Sequence, residues 1–381
     1  MLPARAVYNE EHEMFRDAVR GFIKAELVPH FARWEEAGIV DREMWTKAGE
    51  AGLLCPQVGD AYGGVGGTFR HNAIVVEELA YAGMAGPQTD LSVHNDVCAG
   101  YLISLGNEEQ KQRWLTGMVS GKTVCAIAMT QPGTGSDLQG IKTRAVRDGD
   151  NFVINGSKTF ISNGQHSDLV IVVARTSDAP GSKGMSLILV EADRPGFRRG
   201  RNLAKLGHLS SDTSELFFDD VTVPVSNLLG AEGTGFASLM SELPQERLTL
   251  AVSSMASAQK AFDITRDYVN GRKAFGKTIM DFQNTRYKLA DLKAELAVGW
   301  AFVDQCLEKH DRHALTSADA SIAKLWCTEM HGRLVDTCLQ FFGGYGFMRE
   351  YEICKLYADA RGQRISGRTS EIMRELISRS L

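Results

Sequence analysis

The chain has 381 residues, 44% of them hydrophobic and 23% charged, with a formal net charge of -5 at pH 7. That length exceeds a single compact core and predicts two or three domains, while the composition is that of a soluble globular protein. A mildly acidic chain offers no general attraction for nucleic acid, and no apolar run is long enough for a membrane-spanning helix.

Residues 9 to about 120 carry helical periodicity. Met14, Phe15, Ala18, Val19 and Phe22 recur on one face, and "NAIVVEELAYAG" continues the pattern. "NEEQKQRWLTGMVSG" repeats it and opens at an expected Asn107 cap. The opening segment, "YNEEHEMFRDAVRGFIKAEL", is acidic and helical, unlike a signal or transit peptide. Between the helices, "DAYGGVGGT" (60–68) lacks the lysine of a phosphate loop, so it is read as a tight connection packed between helices.

The period changes near residue 122. "NFVINGSKTFIS" alternates around Asn155-Gly156, a dipeptide that predicts a hairpin turn. "DLVIVVART", "GMSLILVEA" and "SELFFDDVTVP" follow as strands. The middle segment is therefore all-β, and the lack of a strand-turn-helix glycine fingerprint disfavours a Rossmann fold.

Helices return from Gly233. Met255, Phe262 and Val269 mark one; Leu289, Leu292, Leu296 and Trp300 a second; Ala320, Ala323, Trp326 and Met330 a third. The expected architecture is α+β and multidomain: a helical domain (1–122), a β-barrel or sandwich domain (123–232), and a bundle of about four helices (233–381).

The seven cysteines (Cys55, Cys98, Cys125, Cys306, Cys327, Cys338 and Cys354) are scattered, with no C-x-x-C pair. They are expected to be reduced and mostly buried, which points to the cytoplasm. No metal-binding spacing stands out, and His310 with His313 reads as a solvated helix end. The arginines at 361, 364, 368, 374 and 379 alternate with Glu371 and Glu375, as on a solvated face.

Two stretches concentrate chemistry. "AIAMTQPGTGSD" (126–137) leaves a strand for a loop of glycine, proline and hydroxyls, which can aim backbone amides at a flat polar ligand. "NGSKTFISNG" (155–164) sets Phe160 beside Ser162 on a strand. Together they resemble the flavin-binding signatures of the acyl-CoA dehydrogenase family. "VTVPVSNLLGAEGTGF", "RKAFGKTIMDFQ" and "QFFGGYGF" follow in that family's order, so the resemblance spans the chain. "ELPQERLTLA" and "GRKAFGKT" are closest to the long-chain members.

The resemblance implies FAD, an acyl-CoA substrate oxidised to its trans-2-enoyl thioester, electron-transferring flavoprotein as acceptor, and a homotetramer. It assigns FAD contacts to Ile127, Ala128, Met129, Thr130, Gly135 and Ser136, and to Phe160, Ile161 and Ser162. It adds Arg272, Gln283, Gln340, Phe341, Phe342, Gly343 and Gly344, partly across a subunit interface, and Thr369, Ser370 and Glu371. Ser136, Ala237, Pro244, Gln245, Arg247, Gly367 and Arg368 fall at substrate positions.

Many family members carry a catalytic glutamate at the C-terminal turn, where this chain has Gly367 within "RISGRTSEIMREL". The long-chain and isovaleryl members place it in an E-R-L stretch, which assigns the base to Glu246. Pro244 withholds a helical hydrogen bond from Met240 and is expected to kink the helix there. Gly367 is expected to offer its amide to the thioester carbonyl and to leave a gap for Glu246. Arg368 replaces a family glycine that serves a positive φ. Its side chain has three destinations open to it: the acyl-CoA passage, a CoA phosphate, or solvent. Ala237 and Gln131 are further departures, from an aromatic and a glutamate. Two other readings remain at this point: a flavin oxidase or monooxygenase on the same scaffold, and a catalytically silent flavin-binding protein.

Overall fold

A computed structural model describes residues 2–381. Seven α-helices come first: α1 (Glu10–Phe22), α2 (Phe31–Ala37), α3 (Arg42–Glu50), α4 (Phe69–Tyr81), α5 (Ala85–Ser92), α6 (Ala99–Leu105) and α7 (Glu108–Val119). Asn107 caps α7 as expected. Its side chain accepts from Gln110 N–H at 2.9 Å, and Gln110 returns a bond to the Asn107 amide. The 60–68 loop is tied down by Gly66 N–H to Val58 O and Gly67 N–H to Pro56 O, both 2.8 Å. It is a packed connection, and a side chain at Gly64 would collide with the Val58 carbonyl.

The β region forms one mixed sheet of eight strands: β1 (Cys125–Ala128), β2 (Arg144–Asp148), β3 (Asn151–Ser162), β4 (Leu169–Arg175), β5 (Met185–Glu191), β6 (Phe197–Asn202), β7 (Thr213–Pro224) and β8 (Leu228–Leu229). Their order is β6-β7-β3-β2-β4-β5-β8, with β1 parallel to β4. β4 is apolar from Leu169 to Ala174 because both its faces are covered. Leu169, Ile171 and Val173 pack with Tyr101, Leu102 and Met118 of the helices, while Val170, Val172 and Ala174 join Phe152, Ile154 and Val223 within the β region.

The hairpin expected at Asn155-Gly156 does not form there. β3 runs straight through it, and the β2–β3 turn is Gly149-Asp150, closed by the pair Asp148 and Asn151. Asn155 and Gly156 instead make a bulge against β7. Asn155 exchanges hydrogen bonds with Asp220, and Gly156, at φ 149°, lies so close to Thr143 that a Cβ would meet it at 2.6 Å.

The last region contains α8 (Gly235–Gly271), a short hairpin, α9 (Gln283–Asp311), α10 (Ser317–Phe342), α11 (Glu352–Gln363) and α12 (Ser370–Ser378). α8, α9 and α10 are long, and α11 adds a fourth, shorter helix. α8 spans 37 residues and continues unbroken through Pro244, so the expected kink does not interrupt it. Val19, Phe22 and Leu79 of the first region share one core with Leu248, Met255, Phe262 and Leu334 of the last. All seven cysteines are free and six are buried. Among the described residues, no helix is long and apolar enough to cross a membrane.

Candidate active site

Glu246 lies on α8 and is 9% exposed. Against it stands Tyr101 of α6, fully buried, whose hydroxyl donates to Glu246 Oε1 at 3.0 Å. A π-helical turn, Val93–Cys98, joins α5 to α6 and sets the rotation of α6. Within that turn the Asp96 carbonyl accepts from Gln245 Nε2 at 2.7 Å, which fastens α8 to it.

Burial disfavours the charged carboxylate and pushes Glu246 up to about 7. The Tyr101 hydrogen bond and the cations of Arg247 and Arg368 pull the other way, and Glu242 one helical turn back adds to the rise. A carboxylate balanced near neutrality is matched to proton abstraction at ordinary pH. Glu242 is itself raised by burial, with the nearby Ser104 and Ser241 hydroxyls opposing the rise.

The turn between α11 and α12 faces this carboxylate. Gly367 and Arg368 both have positive φ, 58° and 81°. Among the described residues, no protein acceptor takes the Gly367 amide. The space beside Gly367 was expected to receive Glu246, but Leu250 occupies it: a Cβ at 367 would run into Leu250 Cδ1. Leu250 is one helical turn past Glu246, so α8 fills the gap with an apolar side chain and keeps its carboxylate on Tyr101. The Arg368 side chain turns toward Ser136. It is half-buried, and Nη1 donates to the Ser136 carbonyl at 2.9 Å. Buried Lys324 of α10 donates to the Arg368 carbonyl at 2.7 Å.

Ser136 belongs to the loop after β1, which lies beside the end of β3: Thr159 N–H donates to Thr130 O at 3.0 Å. Ala128 and Ile161 are buried in the sheet core, so only their backbones can meet a ligand. Ile127 and Met129 are half-buried. Phe160 sits in a bulge at φ 59° and is 68% exposed, an unusual place for an aromatic ring. Side chains added at Gly133 or Gly135 would meet nothing within 4 Å, so the loop borders open space. Gln131 Oε1 accepts from both Thr143 N–H and Oγ1, at 3.2 and 3.0 Å. The amide thus fixes the loop from behind.

Arg272, Gln283 and Gln340 to Gly344 gather elsewhere. Arg272 is at the far end of α8, about 39 Å from Glu246 at 1.5 Å per residue. It lies over the Tyr345 ring and beside an apolar pocket lined by Tyr268, Phe342 and Tyr351. The Phe342 ring is stacked on Tyr268 at 4.1 Å, while Gly343 and Gly344 face open space. Thr369 occupies the N-cap position of α12 and Glu371 is exposed, but buried Ser370 already donates to Glu329 Oε1 at 2.7 Å.

Two expected substrate residues point away from the site. Both ends of the Gln245 amide are engaged, with the Asp96 carbonyl and, at 3.0 Å, with His310 Nε2. His310 is therefore not solvated; it also packs on Phe69. Arg247 is 1% exposed and donates to Ser317 Oγ at 3.0 Å, inside the bundle. Ala237 is exposed near the start of α8, and Pro244 is half-buried. Tyr101, Lys324 and Lys158 were not anticipated. Lys158 is fully buried, donates to the Met129 carbonyl at 2.9 Å, and is lowered by burial to about 7. Its signal was a lysine at an inward position of an alternating strand; Tyr101 had none.

Comparison with known proteins follows the same three regions. The chain matches the descriptions "Acyl-CoA dehydrogenase, N-terminal domain" over 9–122, "middle domain" over 126–221 and "C-terminal domain" over 233–381. It is 48% identical over 379 residues to the pig (Sus scrofa) mitochondrial long-chain specific acyl-CoA dehydrogenase, covering 99% of this chain and 88% of that one. The crystal structure of an acyl-CoA dehydrogenase from Geobacillus kaustophilus superposes with a TM-score of 0.97 at 45% identity, covering 99% of each chain. A glutaryl-CoA dehydrogenase from Mycobacterium smegmatis in complex with FADH2 superposes at 0.91 with 27% identity, covering 98% of this chain and 95% of that one. Three matches in one order, and one fold shared end to end, place this chain in the acyl-CoA dehydrogenase family, whose members are FAD-dependent oxidoreductases.

Proposed function

We propose that this enzyme oxidises medium- to long-chain or branched fatty acyl-CoA thioesters to trans-2-enoyl-CoA, with Glu246 as the base. The observation that carries this reading is a buried carboxylate, bonded to a tyrosine hydroxyl and facing a turn with a free amide. The likeness to long-chain members supports the substrate class. The small Ala237 is consistent with a roomy acyl passage.

The residues present fit FAD. The exposed Phe160 ring offers a stacking surface, and the open glycines at 133 and 135 leave room for a cofactor against backbone. Thr130 and Ser162 add hydroxyls, while Met129, Gly135 and Ser136 complete the loop. When bound, FAD supplies the acceptor for the hydride leaving the β-carbon. Glu246 takes the α-proton. The Gly367 amide hydrogen-bonds the thioester oxygen and stabilises the enolate character that develops there. Tyr101 holds Glu246 in place and shields it from water.

Arg272 ends α8 about 39 Å from Glu246, beside Phe342 and Tyr345, while Gln283 opens α9 and Gln340 to Phe342 close α10. We assign them to the FAD of a second subunit in a homotetramer. The neighbouring surface carries exposed Phe275, Tyr287, Val298, Tyr345 and Phe347, as expected of an assembling face. Electron-transferring flavoprotein is the proposed acceptor. The domain division is 1–122, 123–232 and 233–381, and the free cysteines suit the cytoplasm.

The test is an anaerobic screen of straight and branched acyl-CoAs for bleaching of the flavin absorbance. At least one should bleach it within seconds, at a rate that rises with pH through about 7 as Glu246 loses its proton. A flavin that stays oxidised with every thioester would defeat the proposal. In Tyr101→Phe the carboxylate loses its donor. A hydrogen bond to a charged group contributes about 1.5–3 kcal/mol, so the pH midpoint should rise by about one to two units. An unmoved midpoint would show that the tyrosine does not tune the base.

A further inference from the structure

Arg368 holds a backbone conformation that side chains rarely adopt, φ 81°, next to the amide assigned to the thioester. Such strain persists only where surrounding bonds fix it. Two do so here. The Arg368 guanidinium donates to the Ser136 carbonyl of the cofactor-side loop at 2.9 Å, and Lys324 Nζ donates to the Arg368 carbonyl at 2.7 Å. The side chain thus bridges the C-terminal turn and the β region across the space that Glu246 faces. A glycine would relieve the strain and lose the bridge.

We infer that Arg368 is a positioning residue: its bond to Ser136 holds a permanent cation beside Glu246 and keeps that base ionised as substrate expels water. The inference rests on Glu246 being the base. The groups around Glu246 are few. Arg247 and Glu242 lie on its own helix, Tyr101 comes from α6, Cys98 from the π-helical turn, and Arg368 from the turn before α12. Arg247 is committed to Ser317 within the bundle. Lys324 turns its ammonium to the Arg368 carbonyl, and burial lowers it to about 8, so its charge fades above neutrality. Arg247 stays charged too, lowered by burial only to about 10, and Arg368 is likewise lowered by burial; of the two, Arg368 is the cation that reaches the cofactor-side loop.

The test compares the FAD-loaded wild type with Arg368→Gly, which suits the positive φ, and with Arg368→Lys. Two titrations are read: the rate of anaerobic flavin bleaching by an acyl-CoA, and the infrared carboxyl band that disappears in Glu246→Gln. In Arg368→Gly, flavin should stay bound and both midpoints should move up by about one pH unit, the usual effect of losing a nearby opposite charge. Arg368→Lys should recover at least half of that shift. Midpoints of Arg368→Gly within about 0.3 units of wild type would overturn the inference, even if Glu246→Gln is inactive. A moved infrared midpoint with an active Glu246→Gln would sustain the Arg368 coupling and refute the assignment of the base.

Discussion

Glu246→Gln is expected to keep its flavin and lose about 10³- to 10⁴-fold in the rate of flavin reduction by acyl-CoA, the upper part of the range for a lost general base. Glutamine has the shape of glutamate, and its carbonyl oxygen can still accept from the Tyr101 hydroxyl that now bonds Oε1 at 3.0 Å. Packing around α8 should therefore survive. A neutral amide also escapes the burial penalty that raises the carboxyl to about 7, so thermal stability should hold or rise. Stopped-flow bleaching under anaerobic conditions reads the rate, and the flavin spectrum reads cofactor retention. A variant that bleaches within about threefold of wild type, where an essential base would cost at least 10²-fold, would remove Glu246 from the chemistry.

Gly367→Ala should be the next most damaging change, with about 10²-fold slower reduction and flavin still bound. The methyl group has two problems. Its backbone has φ 58°, which alanine tolerates at a cost of about 1 kcal/mol, and its Cβ meets Leu250 Cδ1. Relief of that collision moves the turn, and misplacement of a reacting geometry by about 1 Å can cost on the order of 10²-fold. The collision is with the tip of one side chain, so Leu250→Ala should restore much of the rate in the Gly367→Ala background. Non-additivity of that kind marks contacting residues. If Gly367→Ala alone reduces its flavin at the wild-type rate, the thioester donor lies elsewhere.

The stretch "PQERL" shows how far sequence alone could reach. Its likeness to long-chain relatives pointed to Glu246, but neighbouring letters are not neighbouring positions on a helix. Successive residues turn by about 100°, so Gln245 faces the π-helical turn and Arg247 faces α10, and neither faces the site. Tyr101 was invisible because its partner is 145 positions away and the π-helical turn between α5 and α6 sets its direction. Asn155-Gly156 misled for a related reason: the dipeptide serves a bulge as well as a hairpin, and Asp220 and Thr143, both distant in sequence, decide which. The helical periodicity and the Asn107 cap were legible because they depend on residues within one or two turns.

The core shared by the first and last helical regions recasts the molecule as a helical body with a β insert. Val19 and Leu79 pack with Met255 and Leu334 only after the chain has made its whole excursion through the sheet. The first and last helical segments, far apart along the sequence, thus complete one core between them. Neither set of end helices can bury its apolar face without the other, and a fragment cut near 122 or 233 would expose that face and tend to aggregate. Long-range closure of this kind slows folding. It also gives Glu246 a rigid seat: α8 is clamped by α4, from before the insert, and by α10, from after it.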